Sequence, residues 1–80
     1  MKISVRLFGI AREIVSSNYY ELSLPDGASV LDLKNRLCTE YPDFADLKSI
    51  MIALNDEYAT NEQLINQNDE VVLIPPVSGG

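Results

Sequence analysis

The sequence predicts an α+β domain: one mixed β-sheet with a single main helix across one face. Three observations carry that prediction. Two runs of alternating polar and apolar residues, 2–8 and 19–24, read as half-buried strands ahead of the helix. The helix start is marked by Ser29, with Asp32 three residues on, a capping-box spacing before an apolar stripe. Two or three more strand-like runs follow, and strands on both sides of one helix pack as a single sheet beneath it.

Each element has its own signal. In residues 2–8, Ile3, Val5 and Leu7 face the core, with Lys2, Ser4 and Arg6 outward. Gly9 breaks the alternation, and Ile10 and Ile14, four apart, predict one or two helical turns over 10–15. Ser16-Ser17-Asn18 forms a turn into a strand over Tyr19–Leu24, with Tyr20, Leu22 and Leu24 on one face; Pro25-Asp26-Gly27 closes it. The main helix runs from Ser29 to Tyr41, its stripe made of Val30, Leu33, Leu37 and Tyr41 and broadened by Leu31 and Cys38. Cys38 reads as a small core residue rather than a nucleophile. Pro42 disfavours helix at Tyr41. A connector over 43–49 is anchored by Phe44 and Leu47. A third strand spans 50–54, and Asn55-Asp56-Glu57 turns into a short strand at Tyr58-Ala59. Leu64 and Ile65 plug the core, and Asn68, in a left-handed conformation, turns the chain into a last strand at 70–74.

Bulk properties exclude several functions. Eighty residues with 46% apolar side chains make one domain, of stability on the order of 5 kcal/mol. Twelve acidic and six basic side chains give a net charge of -6. That opposes nucleic-acid binding and favours a partner with a basic docking surface. Charges inside the N-terminal apolar run rule out a signal peptide or membrane span there. One cysteine and no Asn-x-Ser/Thr sequon fit a cytoplasmic protein. Without histidine there is no imidazole base and no Ser-His-Asp triad, and no metal site is expected. No glycine-rich phosphate loop is present, so ATP is not expected to bind this chain. A carrier, subunit or binding module fits better than a stand-alone enzyme.

The division expected is a domain over 1–74 and an extended tail over 75–80, Pro75-Pro76-Val77-Ser78-Gly79-Gly80. Two prolines end the sheet and stiffen the exit. Fully extended, six residues reach roughly 20 Å. Gly79 and Gly80 bring backbone close to whatever receives them, since neither carries a Cβ, and the tip is a carboxylate. The plainer reading is a frayed terminus. If Val71 and Leu73 face the core, Val72 and Ile74 face the other way with Met51 and Tyr58, an apolar patch suited to docking.

Leu7-Phe8-Gly9-Ile10-Ala11-Arg12-Glu13, the pair Leu54-Asn55 and above all the block from Asp69 to Gly80 resemble the small subunit of molybdopterin synthase. Asn68 stands where many members carry glycine, and Tyr58 where an apolar residue is common. The resemblance implies a ubiquitin-like β-grasp fold and a cytoplasmic sulfur carrier, active only as one subunit of a heterotetrameric sulfurtransferase. Gly80 is then adenylated with ATP by a separate activating enzyme, and a sulfur donor, a sulfurtransferase or desulfurase, converts it to a thiocarboxylate. That group enters the large subunit and donates sulfur to cyclic pyranopterin monophosphate in molybdenum cofactor biosynthesis. Pro75, Pro76, Val77 and Ser78 guide the tail; Phe8, Tyr58, Val72 and Ile74 are the expected docking contacts. Arg12 either pairs with a partner carboxylate or caps its own helix and binds Glu13 or Glu21. The rival readings are a thiamine-pathway sulfur carrier, a ubiquitin-like covalent modifier and a non-covalent adaptor.

Overall fold

The computed structural model describes residues 1–46 and 50–75. The element order is β1 (Lys2–Leu7), α1 (Ile10–Val15), β2 (Tyr19–Ser23), α2 (Val30–Glu40), a 3-10 turn (Pro42–Asp46), β3 (Met51–Leu54), β4 (Glu57–Tyr58) and β5 (Val71–Ile74). The five strands form one sheet in the order β2-β1-β5-β3-β4. The β1–β5 pair is parallel; β1–β2, β3–β5 and β3–β4 are antiparallel. With α2 across one face, this is the α+β mixed sheet that the residue pattern predicts, in the ubiquitin-like β-grasp arrangement that the resemblance implies.

The core lies between α2 and the inward residues of the strands. Alternation in β1 buries Ile3, Val5 and Leu7, and β2 buries Tyr20 and Leu22. Ser29 caps α2 in full: its hydroxyl accepts from the Asp32 N–H, and the Asp32 carboxylate accepts from the Ser29 N–H at 2.9 Å. The helix buries Val30, Leu33 and Leu37, with Cys38 and Tyr41 half-buried at the edge of the core. Leu31, expected to broaden that stripe, is instead 45% exposed. It is rotated about 100° from Val30, and its N–H donates to the Asn61 carbonyl rather than starting a core contact.

Past α2, Phe44 is fully buried and extends an edge-to-face series, Tyr20 to Tyr41 at 5.7 Å and Tyr41 to Phe44 at 6.2 Å. The Tyr20 hydroxyl donates to Glu40, which also accepts from Arg36 Nε at 2.8 Å, so the end of α2 is tied to β2. Leu47, the other anchor expected in this connector, lies outside the described residues.

Two further expectations are corrected. Of the pair meant to plug the core, Ile65 does so, while Leu64 is 56% exposed. Leu64 bridges Ser29 in extended backbone, where neighbouring side chains point to opposite sides. Helix α1 forms over Ile10–Val15 as the spacing predicts, with Ala11 buried and Ile10 exposed. Asn68 does not adopt a left-handed conformation; among the described residues, Ser16, Asn55 and Asp56 are the non-glycine residues that do. The turn before β5 closes through Asp69, whose N–H reaches the Asn66 carbonyl and whose carboxylate accepts from the Asn66 N–H. Asn55 and Asp56, both at positive φ, form the two-residue hairpin between β3 and β4. No helix among the described residues is long and apolar enough to cross a membrane.

Candidate functional site

β5, the strand that leads into the tail, is the central strand of the sheet. Val71 and Leu73 are buried beneath α2, so Val72 and Ile74 fall on the opposite face, where both are half-buried. Register then dictates their neighbours. Arg6 pairs with Tyr19 on one side and Val72 on the other, Val72 with Ala53, and Ala53 with Tyr58, giving a row across all five strands. Ile74 pairs with Met51, and Phe8 follows the Leu7–Leu73 pair on the side toward the tail.

These side chains frame a groove lined by Arg6, Phe8, Ala53, Asp56, Tyr58, Glu70, Val72 and Ile74. The four expected apolar contacts, Phe8, Tyr58, Val72 and Ile74, are thus brought together. Phe8 is 42% exposed and Tyr58 67%, an unusual outlay of aromatic surface for so small a domain. The groove also holds Ala53 and Arg6, which the sequence reading faced outward or left in a strand without assigning a contact. The signal was present for Arg6, since alternation put it on this face. Its guanidinium lies 5.0 Å from the centre of the Phe8 ring, a cation–π contact.

The root of the tail is shaped by the Leu7–Glu13 segment. Gly9 has φ 56 and ψ -133, a conformation open chiefly to glycine. It turns the chain out of β1 into α1 and leaves Pro75 seated beside it; a Cβ at Gly9 would stand 3.5 Å from Pro75 Cγ. Pro76, Val77, Ser78, Gly79 and Gly80 lie outside the described residues. Arg12 is exposed on α1 and lines an adjoining groove with Arg6, Phe8, Asn18 and Tyr19. It forms no ion pair with Glu13 or Glu21; the ion pairs among the described residues are Met1–Asp26 and Arg36–Glu40. Its carbonyl, not its side chain, caps α1 by accepting from Ser16 and Ser17. A larger depression beside α1 is lined by Gly9, Ile10, Arg12, Glu13 and the 16–18 turn, with Ile10 its one large apolar side chain.

Asn55 explains the Leu54-Asn55 pair. Its amide donates to Asp69, its side-chain carbonyl accepts from the Glu70 N–H, and its own N–H donates to the Glu70 carbonyl. The β3–β4 hairpin is thereby fastened to the start of β5, which fixes where the groove begins.

Residues 5–80 match the ThiS family. The molybdopterin synthase sulfur carrier subunit of Arabidopsis thaliana is 33% identical over 81 residues, spanning all of this chain and 84% of that protein. Among solved structures, putative molybdopterin converting factor subunit 1 from Pyrococcus furiosus superposes with a TM-score of 0.86 at 26% identity, covering 96% of this chain and 99% of the other. The small archaeal modifier protein 1 (SAMP1) of Methanosarcina acetivorans gives 0.79 at 28% identity, covering 99% and 96%. A chain of the complex of subunits 1 and 2 of molybdopterin-converting factor from Helicobacter pylori 26695 gives 0.67 at 25%, covering both in full. On the strength of the family match and the full-length relatives, this chain belongs to the ThiS family.

Proposed function

We propose that this chain is the sulfur carrier subunit of a molybdopterin synthase and delivers sulfur on the carboxyl group of Gly80. The observation that carries this reading is the full-length likeness to a molybdopterin synthase sulfur carrier subunit, 33% identity over the whole chain. The family match runs through residue 80, so the Gly79-Gly80 tip lies inside the likeness. The geometry supports it. A tail over 75–80 would leave the domain from the central strand, beside a groove where Phe8, Tyr58, Val72 and Ile74 come together, so docking that face aims the tail.

The chemistry follows from the poor reactivity of a carboxylate. At a separate activating enzyme a Gly80 oxygen attacks the α-phosphorus of ATP and pyrophosphate leaves. A sulfurtransferase or desulfurase carries the sulfur as a cysteine persulfide, whose terminal sulfur displaces AMP to give an acyl disulfide. A second thiol cleaves that disulfide reductively, leaving the thiocarboxylate and a new disulfide. Within the large subunit the thiocarboxylate sulfur attacks a carbon of cyclic pyranopterin monophosphate as a C–O bond at that carbon breaks and the oxygen leaves. Hydrolysis of the acyl–sulfur bond then leaves sulfur on the pterin and returns the Gly80 carboxylate. The thiocarboxylate is a soft anion at neutral pH, so this chain need supply no base and no cofactor of its own. ATP is consumed at the activating enzyme, and the setting is the cytoplasm. Phe8, Tyr58, Val72 and Ile74 dock the face, and Pro75, Pro76, Val77 and Ser78 guide the tip.

Intact-mass analysis of the chain from its native cells, with identification of co-purifying proteins, tests this. One oxygen exchanged for sulfur at Gly80, and a synthase large subunit in the eluate, are the expected results. An unmodified carboxylate with no such companion would refute the proposal. A second reading, a covalent protein modifier, is favoured by the likeness to SAMP1; it predicts ladders of lysine conjugates in the same preparation.

A further inference from the structure

The open sheet face is not electrically uniform. Its middle row contains one cation, Arg6, standing in register between Tyr19 and Val72. The guanidinium rests against Phe8, toward the root of the tail, while Asp56 and Glu70 line the same groove. Neither carboxylate forms an ion pair with Arg6. On α2, by contrast, Lys34 is bonded to Asn61 and Arg36 to Glu40. Arg12, in the adjoining groove, adds a second positive charge on the same side.

A partner that covers Val72 must also cover Arg6, because the two are direct cross-strand neighbours. Removing a guanidinium from water without a counter-charge is costly enough to cancel the gain from a few buried apolar side chains. The cost is avoided if the covering surface brings its own anion. Taking the proposed function as the frame, we infer that the synthase large subunit presents an aspartate or glutamate to Arg6 from within the apolar surface that covers Val72 and Ile74. The pairing fixes which way the domain sits: the positive side of the face, next to the tail root, meets the acid, and the Asp56–Glu70 side lies away from it. The net charge of -6 alone points to a basic partner surface; at the site of contact the sign is reversed.

The test is calorimetric titration of the full chain into the large subunit of the same organism, at low and at physiological salt. The variants are Arg6→Gln, Arg6→Glu and Arg6→Lys, each first checked for an unchanged thermal melt. Arg6→Gln is expected to weaken binding about tenfold and flatten its salt dependence, Arg6→Glu to weaken it further, and Arg6→Lys to retain most of the affinity. Reversing one acidic residue of the large subunit to lysine should restore binding to Arg6→Glu. Wild-type affinity and an unchanged salt slope in both Arg6→Gln and Arg6→Glu overturn the inference and leave the proposed function standing. Variants that alter self-association but not the mixed complex assign the face to a second copy and overturn it as well. If the wild-type chain itself fails to bind the large subunit, the proposed function falls, and this inference with it.

Discussion

Tyr20 and Glu40 perturb each other in ways that can be measured. Burial, then the bond to Glu40, holds the Tyr20 hydroxyl above its ordinary value of 10.0. The same hydrogen bond, then that from Arg36, holds Glu40 below its ordinary 4.5. A depressed carboxylate stabilises the fold fully above 4.5 and ceases to as pH falls through its folded-state value. A raised phenol stabilises it fully below 10.0 and ceases to as pH rises through its own. Tyr20→Phe should therefore lower the melting temperature most between those limits, with the difference from wild type shrinking in acid and in alkali. Melting curves across pH would show this; a difference independent of pH would contradict it. Gly9→Ala is expected to destabilise by about 1–3 kcal/mol through backbone strain. The 3.5 Å approach to Pro75 is ordinary contact and adds little. Urea unfolding measures the loss. For the tip, Gly79→Ala or Gly80→Ala should leave unfolding midpoints unchanged and impair adenylation or sulfur transfer in a reconstituted system, where normal turnover would count against the tail's role.

At the scale of elements, β5 does two jobs by parity: alternate side chains close the core, and those between them face the groove. Ile74→Asp changes only the second set. It should reduce large-subunit affinity while the unfolding midpoint moves little, and unchanged affinity would remove Ile74 from the interface. That parity was legible in the sequence because strand period is fixed, so the outward set was right from Arg6 to Tyr58. The capping box of α2 was legible for a similar reason, since its spacing is local. What failed was local signal contested by neighbours. Leu31 and Leu64 are apolar and adjacent to core positions, but the segment around Asn61 and the Ser29 bridge turn them outward. Asn68 could have turned left-handed; the Asp69 side chain closed the turn another way. The approach of Gly9 to Pro75 depends on the parallel β1–β5 register, which joins residues more than sixty apart and has no trace in composition.

For the whole molecule, a single core carries nearly all the stability. Phe44 is fully buried and sits outside the sheet, and Phe44→Ala should cost about 3–5 kcal/mol. Set against a total on the order of 5 kcal/mol, that should leave much of the chain unfolded at 37 °C, as loss of cooperative melting by circular dichroism would show. The same economy leaves the far side of the sheet bare among the described residues, which is where the candidate site lies. The placement of β5 between a parallel neighbour and an antiparallel one has a mechanical consequence. A tug on the last residues loads both flanking ladders at once along their length, so their bonds resist together, whereas a strand at the rim would peel away bond by bond. A domain built this way can be drawn out of a tight-fitting channel, cycle after cycle, without being unravelled by the withdrawal.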